Sequence, residues 1–177
     1  MHHAFDRPEV HALLHPERVL WQASELRDLV TTVASRFAGE LAQLMTFERE
    51  HRWWARLALT EGVELWLLTW LPGQGTEPHD HGGASGAFTM IRGDLHEDYR
   101  YPGRPVRSRA RECGSTVGFG AGRAHQLRNV RLAPAASVHA YSPPLVPTRE
   151  YASLADIPES IPPLPAPTVR IKHREPA

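Results

Sequence analysis

His79, Asp80 and His81 form a His-x-His segment framed by glycines, with Gly73 and Gly75 ahead of it and Gly86 and Gly93 behind. A second glycine-rich stretch carries Gly114, Gly120, Gly122, His125 and Asn129. On an extended strand, side chains two positions apart point to the same face, so His79 and His81 present both imidazoles to one side. A third imidazole from a distant strand could complete a metal site with one side open. Asp80 points the opposite way from its flanking histidines and reads as a structural residue, not a ligand.

Taken together, the two frames resemble the paired signature motifs of the cupin superfamily, G-x5-H-x-H-x(3,4)-E-x6-G and G-x5-P-x-G-x2-H-x3-N. Gly73, His79, His81 and Gly93 fall in register with the first, and Gly114, Gly122, His125 and Asn129 with the second. The resemblance implies a β-barrel whose metal ligands are His79, His81 and His125. Gly120 stands where the pattern has proline, and Gly86 replaces the glutamate that is a fourth ligand in many cupins. Three neutral imidazoles leave a divalent metal its full charge and open positions, which attracts an anionic ligand such as a thiolate.

The segment Ser137-Val138-His139-Ala140-Tyr141-Ser142-Pro143-Pro144 resembles the S-x-H-x-Y-S-P-P stretch of the cysteine dioxygenases within that superfamily. Gly93-Asp94-Leu95 with acidic residues after it, His125 with Arg128-Asn129-Val130, and Trp70 nine residues before His79 are similar as well. The likeness runs from about Arg52 to Tyr151. It implies an iron(II) enzyme that adds both atoms of O2 to the sulfur of L-cysteine, giving cysteine sulfinate. That reaction moves four electrons from sulfur to dioxygen and needs a redox metal, but no external reductant. Non-haem iron(II) with open positions meets the need. Zinc would bind the same histidines without redox chemistry. Ligand identity alone also leaves nickel and manganese open, and the S-x-H-x-Y segment favours iron.

Ser137, His139 and Tyr141 share one strand face, so Ser137 can orient His139, and His139 can hold the Tyr141 phenol towards the metal. These three are the candidate catalytic residues. In animal members of the family the tyrosine is joined to a cysteine through a thioether. The matching position here is Gly86, so Tyr141 is expected to be unmodified. Cys113, the single cysteine, does not align with the cross-link and is expected to be a small, partly buried residue. Arg56 resembles the family's carboxylate-binding arginine if a few residues are deleted at the Glu61-Gly62 turn; Arg52 is its nearest rival. Related 3-mercaptopropionate dioxygenases carry glutamine there, so arginine favours cysteine. Trp54 stands where the animal enzymes have a tyrosine that touches the carboxylate, and with Trp70 it completes the expected substrate-binding set. His11, His15, His51, His96 and His173 lack a supporting frame and are expected at the surface.

Positioning such a site falls to three stretches of chain. Over residues 9 to about 50, Leu26, Leu29, Val30, Val33, Phe37, Leu41, Leu44 and Met45 recur at helical spacing, with Ser24 as the N-cap. From Trp53 to Tyr151, short apolar runs are cut by Gly and Pro. Strands are expected at 54–60, 63–70, 86–92, 94–101, 105–112, 115–119, 125–131 and 136–142, with Glu61-Gly62 as a hairpin turn. The run from Val63 to Trp70 is apolar on both faces, which suits one face lining a barrel and the other under helices. After Asp156, prolines dominate, and the tail reads as irregular and loosely attached. The expectation is a mainly β protein: an N-terminal helical region (1–52), a cupin, jelly-roll-like β-barrel (53–151) and a proline-rich tail (152–177).

Charge and composition narrow the partners. Lys+Arg and Asp+Glu balance at 20 each, so nothing favours nucleic acid or an anionic membrane. One cysteine excludes an internal disulfide and suits a reducing cytosol. No apolar run reaches membrane-spanning length, and no signal-peptide pattern opens the chain. The expected protein is cytoplasmic and monomeric, with a small thiol and O2 as partners and Fe(II) as cofactor. The rivals are a dioxygenase of another thiol, such as 3-mercaptopropionate or cysteamine, and a zinc- or nickel-loaded cupin that is not an oxygenase.

Overall fold

The computed structural model describes residues 8–144 and 148–161. The helical stretch divides into α1 (Pro8–Leu13), α2 (Ala23–Arg36) and α3 (Ala38–Leu44). In α2, Leu26, Leu29, Val30 and Val33 are buried at spacings of three and four, which lays one apolar stripe on the barrel. Burying each such side chain fully stabilises the fold by about 1.5–3 kcal/mol. The helix starts earlier than Ser24, which lies inside it. The N-cap is Gln22, whose backbone N–H donates to the Glu25 carboxylate at 2.8 Å. Glu25 also takes Arg18 as an ion-pair partner. A carboxylate in the first turn that reaches back to the chain outcompetes a serine as the start signal.

The remainder folds into strands β1 (Trp54–Leu59), β2 (Glu64–Trp70), β3 (His79–Asp80), β4 (Ser85–Arg92) and β5 (Leu95–Arg100). β6 (Arg107–Arg111), β7 (Thr116–Phe119), β8 (Ala124–Arg128), β9 (Ala135–Ser142) and β10 (Arg149–Glu150) follow. They form two antiparallel sheets of five strands, ordered β1-β2-β9-β4-β7 and β10-β3-β8-β5-β6. The eight expected strands are present with shifted ends; β3 and β10, of two residues each, are additions.

The first sheet has two working faces. Leu65 and Leu67 of β2, Ala87 of β4, and Val138 and Ala140 of β9 join the α2 stripe in one core. Alternate residues turn inward: Trp66, Leu68, Trp70, Phe88 and Met90 pack in a second core inside the barrel. Ser137, His139 and Tyr141 take that inward side on β9. The register sets Tyr141 between Glu64 and Gly86, and His139 between Trp66 and Phe88. A slip of one residue would push His139 under the helices and Val138 into the barrel, so burial on both faces specifies the register.

The proline-rich segment begins as an attached structure. Leu154 and Ile157 are buried against Ala124, and the Arg100 guanidinium donates to the Leu154 and Ala155 carbonyls at 3.1 and 2.9 Å. Most of the expected loose tail, with His173, lies outside the described residues. Among the described residues, no helix is long and apolar enough to cross a membrane.

Candidate metal centre

β3 and β8 lie side by side with His79 directly opposite His125, and His81 follows two residues along. The three rings form a near-equilateral triangle, with centroids 5.0, 4.8 and 4.9 Å apart for His79–His81, His79–His125 and His81–His125. One ligand nitrogen of each lies within 4.8 Å of the other two. The opposite nitrogens are tied outwards. Nδ1 of His79 donates to the Glu77 carbonyl at 2.7 Å, that of His81 to the Arg123 carbonyl at 3.3 Å, and that of His125 to the Glu97 carboxylate at 2.8 Å. Each bond fixes a tautomer with a bare lone pair on Nε2 facing the centre.

Inside the triangle, Nε2 of His81 and of His125 is buried without a hydrogen-bond partner. Unsatisfied buried acceptors are costly, and two aimed at one point suit a cation. Burial lowers the His79 pKa to about 3 and holds His81 well below the ordinary range. Both are therefore neutral at neutral pH, as ligands must be.

Gly86 explains why no carboxylate joins them. A Cβ there would lie 2.5 Å from the Phe119 ring and 3.1 Å from the Tyr141 ring. Neither glutamate nor cysteine fits unless Phe119 moves. Phe119 instead places its ring 5.1 Å from His81 and 5.5 Å from His125, an apolar wall beside the ligands. Asp80 faces away, as expected. It is fully buried and accepts from the Gly82 N–H at 2.6 Å and the Tyr151 hydroxyl at 2.5 Å, with Arg149 at 3.2 Å.

From the other sheet, the Trp70 indole donates to Ser137 Oγ at 3.0 Å. Ser137 Oγ lies 2.8 Å from His139 Nε2, and His139 Nδ1 lies 3.1 Å from the Tyr141 hydroxyl. Burial keeps His139 well below its ordinary pKa and raises that of Tyr141, so both are neutral at neutral pH. Trp70 therefore reaches the site as the anchor of this chain of hydrogen bonds.

A cavity of about 390 Å³ opens over His79, His125 and Tyr141, with Trp54, Trp66 and Arg52 in its walls. Arg56 is not among its lining residues. Its guanidinium is 3.4 Å from the Glu64 carboxylate, which is buried beside Tyr141, and the two form an ion pair at the edge of the barrel. Arg52, its rival in the sequence, does line the cavity: it stacks on the Trp70 ring at 4.6 Å, its Nη1 donates to the Gly75 carbonyl at 3.4 Å, and its Nε is buried without a hydrogen-bond partner. Cys113 is exposed, contrary to the partly buried position expected of it, because it falls in the turn between β6 and β7.

One residue of the site escaped sequence reasoning. Glu97 is fully buried and joins His125 to Arg111 and Arg123. Burial pushes its pKa up, but His125 and Arg123 outweigh that and hold it at about 2. The available signal was alternation, since Glu97 shares a strand face with buried Leu95, where an acid is out of place.

No curated protein matches this sequence significantly. Among solved structures, the barrel is similar to a Thermus thermophilus protein at 22% identity and TM-score 0.51, covering 59% of this chain and 94% of that one. It is also similar to a Klebsiella pneumoniae protein with a double-stranded β-helix domain, at 16% identity and TM-score 0.52, covering 64% and 95%. Both are likenesses of fold. A family model described as cysteine dioxygenase type I matches residues 9–153. Its span takes in the helices, all three histidines and the Ser137–Tyr141 strand, so the chain belongs to the cysteine dioxygenase type I family, thiol dioxygenases built on the cupin barrel.

Proposed function

We propose that the protein is an iron(II)-dependent dioxygenase that converts L-cysteine and O2 into cysteine sulfinate, with no other substrate or reductant. The observation that carries this reading is convergence: two imidazoles of the triangle, His79 and His125, a buried phenol and the Arg52 guanidinium border one small cavity, and His81 completes the triangle. His79, His81 and His125 would hold the metal. Bound iron(II) supplies the one-electron chemistry that lets ground-state dioxygen react with a thiolate.

The chain's own groups do the rest. Arg52 takes the substrate carboxylate, the role the sequence had suggested for Arg56. Its Nη1 donates to the Gly75 carbonyl at 3.4 Å, its Nε lacks a partner, and stacking on Trp70 fixes the guanidinium plane for a charge-assisted interaction. Trp70 can only donate, so its N–H occupies a lone pair of Ser137. Ser137 then donates a hydrogen bond to His139 Nε2, His139 donates from Nδ1 to the Tyr141 oxygen, and the phenol proton is left free to point into the cavity. Tyr141 thereby offers a donor to oxygen as charge develops there, and its raised pKa keeps the proton in place. The ring stays free of a thioether, because Gly86 supplies no sulfur.

A second reading has one observation in its favour. The wall of Trp54, Trp66 and Leu68 is apolar and suits the amine-free carbon chain of 3-mercaptopropionate, whereas Glu77 and Glu150 in the same lining could partner the ammonium group of cysteine. Oxygen uptake by iron-loaded protein across cysteine, 3-mercaptopropionate and cysteamine separates the readings, with sulfinate identified by mass. Cysteine should be consumed fastest and cysteamine, lacking a carboxylate, slowest. No oxygen uptake with any of the three thiols would overturn the oxygenase reading in favour of a cupin that binds its metal for another purpose.

A further inference from the structure

Of the three histidines in the triangle, only one leans on a formal charge. The Nδ1 atoms of His79 and His81 donate to backbone carbonyls, whereas that of His125 donates to Glu97 at 2.8 Å. A carbonyl is enough to fix a tautomer, as the first two show, so the buried carboxylate does something more.

Its surroundings point to what that is. Glu97 Oε2 accepts from Arg111 Nε at 2.7 Å, while Oε1 is shared between His125 and the Arg123 guanidinium at 2.7 Å. Arg123 stacks over Tyr99 at 3.7 Å, and its own carbonyl takes the His81 N–H. Two guanidiniums keep the carboxylate anionic in a dry place and stop it from simply removing the imidazole proton. An anionic acceptor makes a stronger hydrogen bond than a carbonyl and draws electron density towards the far nitrogen of the ring. We propose that Glu97, balanced by Arg111 and Arg123, is a positioning residue that makes His125 the strongest donor of the three and so sets the affinity and redox preference of the centre. The inference rests on the three histidines being a metal site.

The test uses the full chain and Co(II), with affinity measured by competition against a chromophoric chelator, and the midpoint potential of iron-loaded protein measured beside it. Glu97→Gln keeps the shape and an acceptor oxygen but loses the charge. It should weaken Co(II) binding about 10- to 100-fold, the usual effect of losing such a partner, and move the iron potential in the positive direction. Arg111→Met keeps the Glu97–His125 bond but removes a balancing cation, so Glu97 pulls harder and the potential should move in the negative direction. A network that merely holds the fold would shift both variants the same way, in step with lost thermal stability. Glu97→Gln binding within twofold of wild type overturns the inference, as does an unmoved or positive potential in Arg111→Met. Arg111 is partly exposed, so its variant decides the sign even if Glu97→Gln fails to fold. Failure of the wild-type chain to bind Co(II) would overturn the metal-site reading itself, and this inference with it.

Discussion

The two sheets that close this barrel meet at one cavity but hold their polar groups by different means. The β10-β3-β8-β5-β6 sheet holds the ligands and also carries ionised groups: Glu97, behind His125 and between Arg111 and Arg123, and Asp80 beside Arg149. The β1-β2-β9-β4-β7 sheet carries Trp70, Ser137, His139 and Tyr141, a chain of neutral groups, with the part-exposed ion pair Arg56–Glu64 at its edge. Helix α2 covers the outer face of this second sheet, so β9 is buried throughout its length. Charge there would have to be desolvated from both sides. The ligand sheet can afford anions because each is met by a cation. The division predicts that damage to one sheet removes the metal, while damage to the other removes the handling of substrate and leaves the metal in place.

The largest effect should come from the ligand sheet. His125→Ala removes one of three donors and leaves Glu97 without its imidazole. Metal content after loading, measured by emission spectroscopy, should fall to background and turnover with it. Full metal occupancy in this variant would break the comparison at its root.

On the other side of the cavity, Arg52→Ala should leave metal content unchanged while raising KM for cysteine far more than for cysteamine. Losing a charge-assisted hydrogen bond costs about 1.5–3 kcal/mol, one to two orders of magnitude in affinity. Arg56→Ala should act differently, because it removes one partner of the buried Glu64 carboxylate. Arg56 is part-exposed and 3.4 Å from that carboxylate, so the loss should cost about 1 kcal/mol, and its signature is a slightly lowered Tm with KM little changed. If Arg56→Ala instead raised KM selectively for cysteine, the sequence expectation for Arg56 would stand.

The contrast between these two arginines shows where sequence reading reaches and where it stops. The metal triangle and the Ser137–His139–Tyr141 face were legible because strand geometry has a strict period of two, which needs only local spacing. Trp66, Leu68 and Trp70 facing inward on β2, with Leu65 and Leu67 under the helices, follow from the same rule. Choosing between Arg52 and Arg56 required knowing which guanidinium Glu64 would claim. That contact crosses β1 and β2 and depends on the length of the turn between them. Glu97 was hidden for a similar reason, since its three partners come from β6, β8 and the loop before β8. The helical period was clear, yet it could not show the breaks after Leu13 and at Phe37, where tertiary packing turns the chain.

A smaller effect is expected at Tyr141. Tyr141→Phe should retain metal and lower kcat, by less than the 2.7–4 kcal/mol that a central oxyanion donor typically contributes, since the thiolate and metal supply the electrons. Intact mass of the wild type should show no loss of two hydrogens before or after turnover, because Gly86 offers no sulfur. A two-hydrogen loss would mean that exposed Cys113 reaches the ring, and Cys113→Ser, otherwise silent, would then lose activity.

The smallest effect concerns the strap that closes the ligand sheet. β10 pairs with β3, and Tyr151 just beyond it donates to Asp80, on the back of the strand that carries His79. Burial and this bond raise the Tyr151 pKa from 10.0 to about 12. The folded chain therefore keeps a proton that the unfolded chain gives up above pH 10. The contribution of this contact to stability is full below pH 10 and is lost as the pH rises through about 12. Tyr151→Phe should lower stability by about 1.5–3 kcal/mol, the usual worth of a hydrogen bond to a charged group. Asp80 retains Gly82 and Arg149 in that variant, so the metal should stay bound. In urea titrations the gap in midpoint between wild type and Tyr151→Phe should be constant below pH 10 and should narrow above it. A gap that held its width well above pH 10 would show that Tyr151 acts through packing alone, and that the ion pair to Arg149 is what holds the strap.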